Sequence, residues 1–178
     1  MKKVLILTWL ILFGVSAVAC AAPVSADAKQ AKVFLWFKYY NTSSWGMTTK
    51  SVREDVVENN VVPVLVKNNS EIVTDDKYWD KLKSKGYSDS TSVERADLLD
   101  AYKDDGFRYL IFIDMEPIRK ASIGYESSAH VKILDMESSK YLHNGKVVQM
   151  TKWGGAGTVA DKLGKDIAKI LEGRVFGK

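Results

Sequence analysis

Apolar and polar positions alternate along the chain in short blocks of two kinds. Val33 to Tyr40 (VFLWFKYY) is apolar on both alternating faces at its start, the pattern of a strand buried on two sides within a sheet. Phe107 to Glu116 (FRYLIFIDME) repeats that pattern and stops at Pro117, which cannot donate to a ladder. Ala129 to Met136 predicts a third strand and Asp135 to Lys140 a turn. Tyr141 to Met150 predicts the returning strand, which Asn144-Gly145, a favoured hairpin pair, would fold over once more. Val61 to Lys67 is a β-branched run expected as a short strand, placed at an edge or strand start by Pro63 and ended by Asn68-Asn69-Ser70.

Between these runs the spacing becomes helical. Ser51 with Glu54 forms a capping-box pattern ahead of Val52, Val56 and Val57. Thr74-Asp75-Asp76 supplies a cap and first-turn acids to a helix with Tyr78, Trp79 and Leu82 on one face, which Gly86 can close. Thr91 and Glu94 form a further capping-box pattern before Val93, Ala96, Leu99 and Tyr102, ended by Gly106. A last helix spans about Thr158 to Leu171, with Val159, Leu163, Ile167 and Ile170 inward and Lys162, Lys165 and Lys169 outward; Asp161 can pair with Lys165 one turn on. The alternation of strands and helices predicts an α/β or α+β fold, a mixed sheet with helices packed on both faces.

The amino-terminal segment reads as an address. Lys2 and Lys3 precede an uncharged run from Val4 to Ala19, shorter than the ~20 residues of a membrane span, and small residues follow. Residues 1–26 are therefore expected to be a signal peptide and 27–178 a single globular domain. Ala17-Val18-Ala19 before Cys20 resembles a lipobox, in which the signal ends at residue 19 and the Cys20 thiol is acylated; the usual Leu three residues before the Cys is Ala17 here. Cleavage after Ala22 or Ala26 would instead leave a soluble exported chain. The expected location is the periplasm, the periphery of the outer membrane, or the medium.

Composition narrows the chemistry. At 178 residues and 46% apolar positions, the chain suffices for one packed domain and is short for two. One Cys and two His exclude a disulfide scaffold and a His/Cys zinc cage within one chain. The net charge of +4 falls to +2 without the two leader lysines, and the remaining lysines alternate with acids, so no nucleic-acid patch is expected.

Several motifs together resemble a bacterial envelope fold family. These are the aromatic strand ending in Asn41-Thr42-Ser43, the junction Gly106-Phe107-Arg108-Tyr109-Leu110-Ile111, the turn from Asp135 to Lys140, and a "GGAG" loop before a terminal amphipathic helix. The family includes the curli-secretion channel lipoprotein, lipoprotein activators of penicillin-binding proteins, and the amino-terminal domain of the Tol-Pal translocation protein. The resemblance spans Lys32 to Leu171 and implies a binding, scaffolding or pore-forming part, with no catalytic residue to carry over. The chain lacks a long amphipathic insertion from which a barrel could be built, which disfavours a pore.

Candidate chemistry is sparse. Gly154-Gly155-Ala156-Gly157 could cradle an anion at a helix start but lacks the Lys and Ser/Thr of a phosphate loop; a flexible connection is the simpler reading. Asp114 and Glu116 share a strand face, and with Asp135 and Glu137 they could converge on Ca²⁺ or act as an acid/base pair; the alternative is that all four are solvated at strand ends. His130 and His143 lie on predicted strands, but Ser127, Ser128, Ser138 and Ser139 lack a nucleophile elbow. Trp45 and Trp153, in Gly-containing loops, are the better interaction residues, so Asn41, Trp45, Trp153, Gly154 and Gly155 form the expected binding loops. No metal or cofactor is expected. The leading expectation is an exported, non-catalytic binding or assembly module whose partner is an envelope protein or polymer, with the membrane reached through Cys20 if it is acylated. The alternatives are a periplasmic hydrolase using His130 or the carboxylates, and a small-ligand carrier.

Overall fold

The computed structural model describes residues 30–40 and 47–177. Cys20, Asn41 and Trp45, together with the signal segment, lie outside the described residues.

The chain runs β1 (Ala31–Tyr39), α1 (Thr49–Arg53), a π-helical stretch (Glu54–Val61), α2 (Val62–Lys67), β2 (Ser70–Val73), α3 (Asp76–Lys83) and α4 (Arg95–Tyr102). It continues through β3 (Tyr109–Met115), β4 (Arg119–Lys120), β5 (Tyr125–Asp135), β6 (Lys140–Thr151) and α5 (Ala156–Arg174). The six strands form one mixed sheet. β1 lies parallel between β2 and β3, β5 is antiparallel to β3, β6 is antiparallel to β5, and β4 pairs with β5 beyond the end of β3. This is the expected α/β class.

Alternation along β1 sorts its side chains between two cores. Val33, Leu35, Phe37 and Tyr39 join Ile111, Ile113, Val131 and Ile133 beneath the α1–α2 helical stretch and α5. Phe34 faces the other way, with Leu110, Phe112 and Leu134, beneath α3 and α4. That second core is largely aromatic: Phe34 meets Phe112 edge-on at 5.7 Å, and Trp36 stacks on Trp79 at 4.7 Å. Offset and edge-on pairs add about 0.5–1.5 kcal/mol each beyond burial, which suits a layer built from two short helices.

Several local expectations are corrected. Val61 to Lys67 is helical, not a strand: Val61, Val64 and Leu65 are buried at helical spacing, while Val66 is exposed. Burial of that stripe overrides β propensity. Pro63 is tolerated because it follows the π-helical stretch, where the Val62 amide already reaches back five residues to the Val57 carbonyl. The wider turn breaks the four-residue repeat at which a proline ring meets a carbonyl. The edge strand is instead Ser70–Val73, following Asn69 at φ 54°.

Asn144-Gly145 makes no hairpin. Asn144 pairs with Lys132 and Gly145 with Val131 inside an unbroken β6, so eleven residues of β5 obtain partners that a local turn would forfeit. The caps also shift. Thr48 and Ser51 form the capping box of α1, Asp75 caps α3 by accepting from the Lys77 amide, and α4 has no side-chain cap. The Asp161–Lys165 pair forms as expected, at 2.7 Å.

Candidate functional site

Topology marks one end of the sheet. β1 and β3 are parallel neighbours, yet β1 passes the chain towards β2 on one side and β3 towards β5 on the other. Ligands of open α/β sheets commonly bind in the crevice at such carboxyl strand ends. Here α3 and α4 cover only the part of their face around Phe34 and Phe112, and beyond them a polar row crosses the sheet: Lys38 opposite Asp114, Asp114 opposite His130, His130 opposite Lys146.

A cleft of about 460 Å³ opens on this row, lined by Tyr40, Asp89, Thr91, Asp114, Glu116 and His130 among others. Its wall is the loop from Ser88 to Glu94, pinned by the sheet from below. Lys132, only 3% exposed, donates from Nζ to the carbonyls of Ser90 (2.6 Å), Thr91 (2.9 Å) and Val93 (2.9 Å). Asp114, 2% exposed, accepts from the Ser90 amide at 3.2 Å and from the Ser90 hydroxyl. Lys38 Nζ donates to the Ser88 carbonyl at 2.6 Å. Within the loop, the Thr91 hydroxyl and the Ser92 amide hold the Asp89 carboxyl down at about 2.

Burial pushes the Asp114 carboxyl above the ordinary aspartate range and the Lys132 ammonium below the ordinary lysine range, against the opposing pull of their partners. For Asp114 the sign is fixed. The native state keeps a proton that the unfolded chain has released, so this residue's contribution to stability is full below pH 3.8 and is lost as pH rises through the raised native value. Asp114→Asn keeps an oxygen acceptor for Ser90 and removes the buried charge. In urea titrations its stability relative to the wild type is therefore expected to increase from pH 3 to pH 7. A constant difference would refute the account.

The sequence candidates fare unevenly. Asp114 and Glu116 lie at one end of β3, whereas Asp135 is opposite Tyr109 at the other, bound by Arg108 at 3.3 Å. The four carboxylates do not converge, and Asp114 and Asp135 are buried rather than solvated. Among the described residues no group of three or more His, Cys, Asp or Glu side chains is placed to hold a metal ion. Ser90 is buried and donates to Asp114, while His130 Nε2 lies 2.9 Å from Asn144 Oδ1, so the polar row forms no nucleophile–base pair. The Gly154-Gly155 connection leads into α5, but a Cβ built on Gly157 in its first turn falls 3.2 Å from an Asp55 carboxylate oxygen. A negative group therefore already lies beside the first turn of α5.

Trp153 is 86% exposed. Val148 and Met150, both exposed, share one face of β6 just before Trp153 in sequence, and exposed Ile123 lies just before β5, whose first residue Tyr125 pairs with Thr151. Met150 is opposite Glu126 and Thr151 opposite Tyr125, and Gly124 (φ +88°) turns tightly against the Thr151 carbonyl, where no side chain fits. Two signals for the rest of the site were present in the sequence: the period-two pattern of HVKILD puts Lys132 on the same face as Leu134, and Asp114 interrupts the apolar run LIFIDM. Ser90, Asp89 and Tyr40 carried no such signal, because only tertiary packing brings them together.

A larger cleft of about 800 Å³ lies at the opposite end of the sheet, where β1 begins. Its cations are already engaged: Lys32 donates to the Asp105 carbonyl, Lys103 pairs with Asp100, and Arg108 pairs with Asp135 and Glu137. No described helix is long and apolar enough to cross a membrane.

No family model matches the sequence, and no curated protein is similar to it in sequence. Solved structures are similar in fold. The hypothetical protein CT253 from Chlamydia trachomatis has 10% identity and a TM-score of 0.55, over 84% of this chain and 100% of that one. TolB from Acinetobacter baumannii has 13% identity and a TM-score of 0.41 over 83% of this chain, which spans 29% of the TolB chain's length. The LpoB C-terminal domain from Salmonella enterica has 13% identity and a TM-score of 0.40, over 70% of this chain and 87% of that one. TolB and LpoB are thus among the structures the chain is similar to, as its resemblance to the envelope fold family leads one to expect. At these identities the likeness is one of fold.

Proposed function

We propose that this is an exported module of the bacterial cell envelope that binds a protein partner through the corner formed by Ile123, Val148, Met150 and Trp153. The carrying observation is that four of the five large exposed apolar side chains of the described residues lie on β6, just after it, or just before the start of β5, with which its end pairs. Exposed apolar surface rimmed by polar groups commonly marks an association site. The expected loop residues Asn41 and Trp45 follow β1 in sequence, and β1 ends on this same side of the sheet. Cys20 remains the candidate lipid attachment point, with the signal at residues 1–26 as the alternative boundary.

The test is capture of partners from envelope extracts by the natively exported protein. Trp153→Ala combined with Met150→Ser should lose capture by about tenfold or more, as expected for an exposed aromatic anchor, with an unchanged melting temperature. Capture that survives this pair and is lost instead on Lys103→Glu, beside the opposite cleft, would overturn the assignment.

A further inference from the structure

β6 forms the outer edge of the sheet, and among the described residues its only strand partner is β5. The irregularity in that pairing falls between Ile133 and Leu134, so the ladder is regular from His143 to Thr151. Alternate backbone amides and carbonyls of this stretch point outward, and such an edge is a template for another strand. α5 packs against one face of β6, where the Gln149 amide donates to Asp166. The other face presents Lys146, Val148 and Met150, all exposed.

Charge selects the occupant. From Lys140 to Lys152 there are three lysines and no carboxylate. Two copies of this edge would bring only positive charge together, and edge lysines are a common protection against self-pairing. A segment carrying carboxylates meets these lysines instead, the acid that β5 presents on this face, Glu126, lying one strand further in. We propose that β6 accepts an extended acidic segment of a partner protein as an added strand, with apolar side chains against Val148, Met150 and Trp153 and carboxylates near Lys146 and Lys152. The inference rests on the corner being a protein-binding surface, and it names the form of the partner.

A synthetic seven-residue peptide, about a typical strand length, serves as the probe: aspartates at its first and seventh positions, valines at its third and fifth and threonines between put carboxylates and apolar side chains on one face, that of Lys146, Val148 and Met150. It is titrated into the full-length protein while amide hydrogen exchange is followed residue by residue. Saturable binding should slow exchange at alternate amides between Lys146 and Met150, those not already bonded to β5. The double variant Lys146→Glu, Lys152→Glu should bind the peptide about tenfold more weakly, and the same peptide with lysines in place of its aspartates should bind the wild type weakly as well. Unchanged exchange along β6, equal binding of both peptides, or concentration-dependent dimerisation through β6 would each overturn strand addition. If it fails while Trp153→Ala with Met150→Ser still loses the natural partner, the binding corner stands without the added strand.

Discussion

Gly164→Val is expected to lower stability by about 3 kcal/mol, the upper part of the range for overpacking a close contact. α5 crosses the π-helical stretch at this residue. A Cβ built there falls 2.8 Å from the Val56 carbonyl oxygen and 3.0 Å from the Val56 Cα. Val56, Val57 and Val61 are fully buried, so the backbone opposite cannot retreat without opening the first core. Two other glycines of α5 are internal controls. At Gly157 the nearest atom is the far end of the Asp55 side chain, and at Gly173 nothing lies within 4 Å. An alanine in an exposed helical position gains up to about 1 kcal/mol over glycine. In urea titrations Gly173→Ala should therefore be neutral or stabilising, Gly157→Ala close to neutral, and Gly164→Ala destabilising, with valine worse. Equal behaviour of the three alanine variants would show that the two helices do not approach this closely.

That crossing also shows what the sequence could not disclose. The strands around Phe34 and Phe112 were legible because both faces of β1 and β3 are buried, which leaves continuous apolar runs. α5 was legible because its apolar residues repeat at helical spacing. Val61 to Lys67 misled because β-branched composition and helical periodicity coincide in a short run, and only the core beneath it decides between them. Asn144-Gly145 misled in the same way, since its local turn preference yields to pairing along β5. At the site, Asp114 was visible as a polar interruption and Trp153 as a loop aromatic. Their surroundings were not, because Ser90 reaches Asp114 across 24 positions in sequence and Lys132 reaches the same loop across 39 to 42.

The Lys132 clasp makes the second large prediction. Lys132→Met keeps most of the buried stem and removes a charged donor shared by the carbonyls of Ser90, Thr91 and Val93. Hydrogen bonds to charged groups contribute roughly 1.5–3 kcal/mol, and carbonyls left unpaired add to the loss. Removing the desolvated ammonium returns part of that, and water entering from the adjacent cleft satisfies some acceptors, so the expected net loss is about 2–3 kcal/mol. Part of it should come from Asp114, whose carboxylate loses the attraction of the Lys132 ammonium. The penalty for Lys132→Met is therefore expected to be smaller in an Asp114→Asn background, a coupling that a double-mutant cycle reads directly. The loop that Lys132 holds carries Asp89 and Thr91 into the cleft wall, so amide exchange from Ser88 to Glu94 should accelerate in the single variant while β1 and β3 stay protected. Additive effects and unchanged loop exchange would mean that Lys132 fills space beneath the loop without holding it.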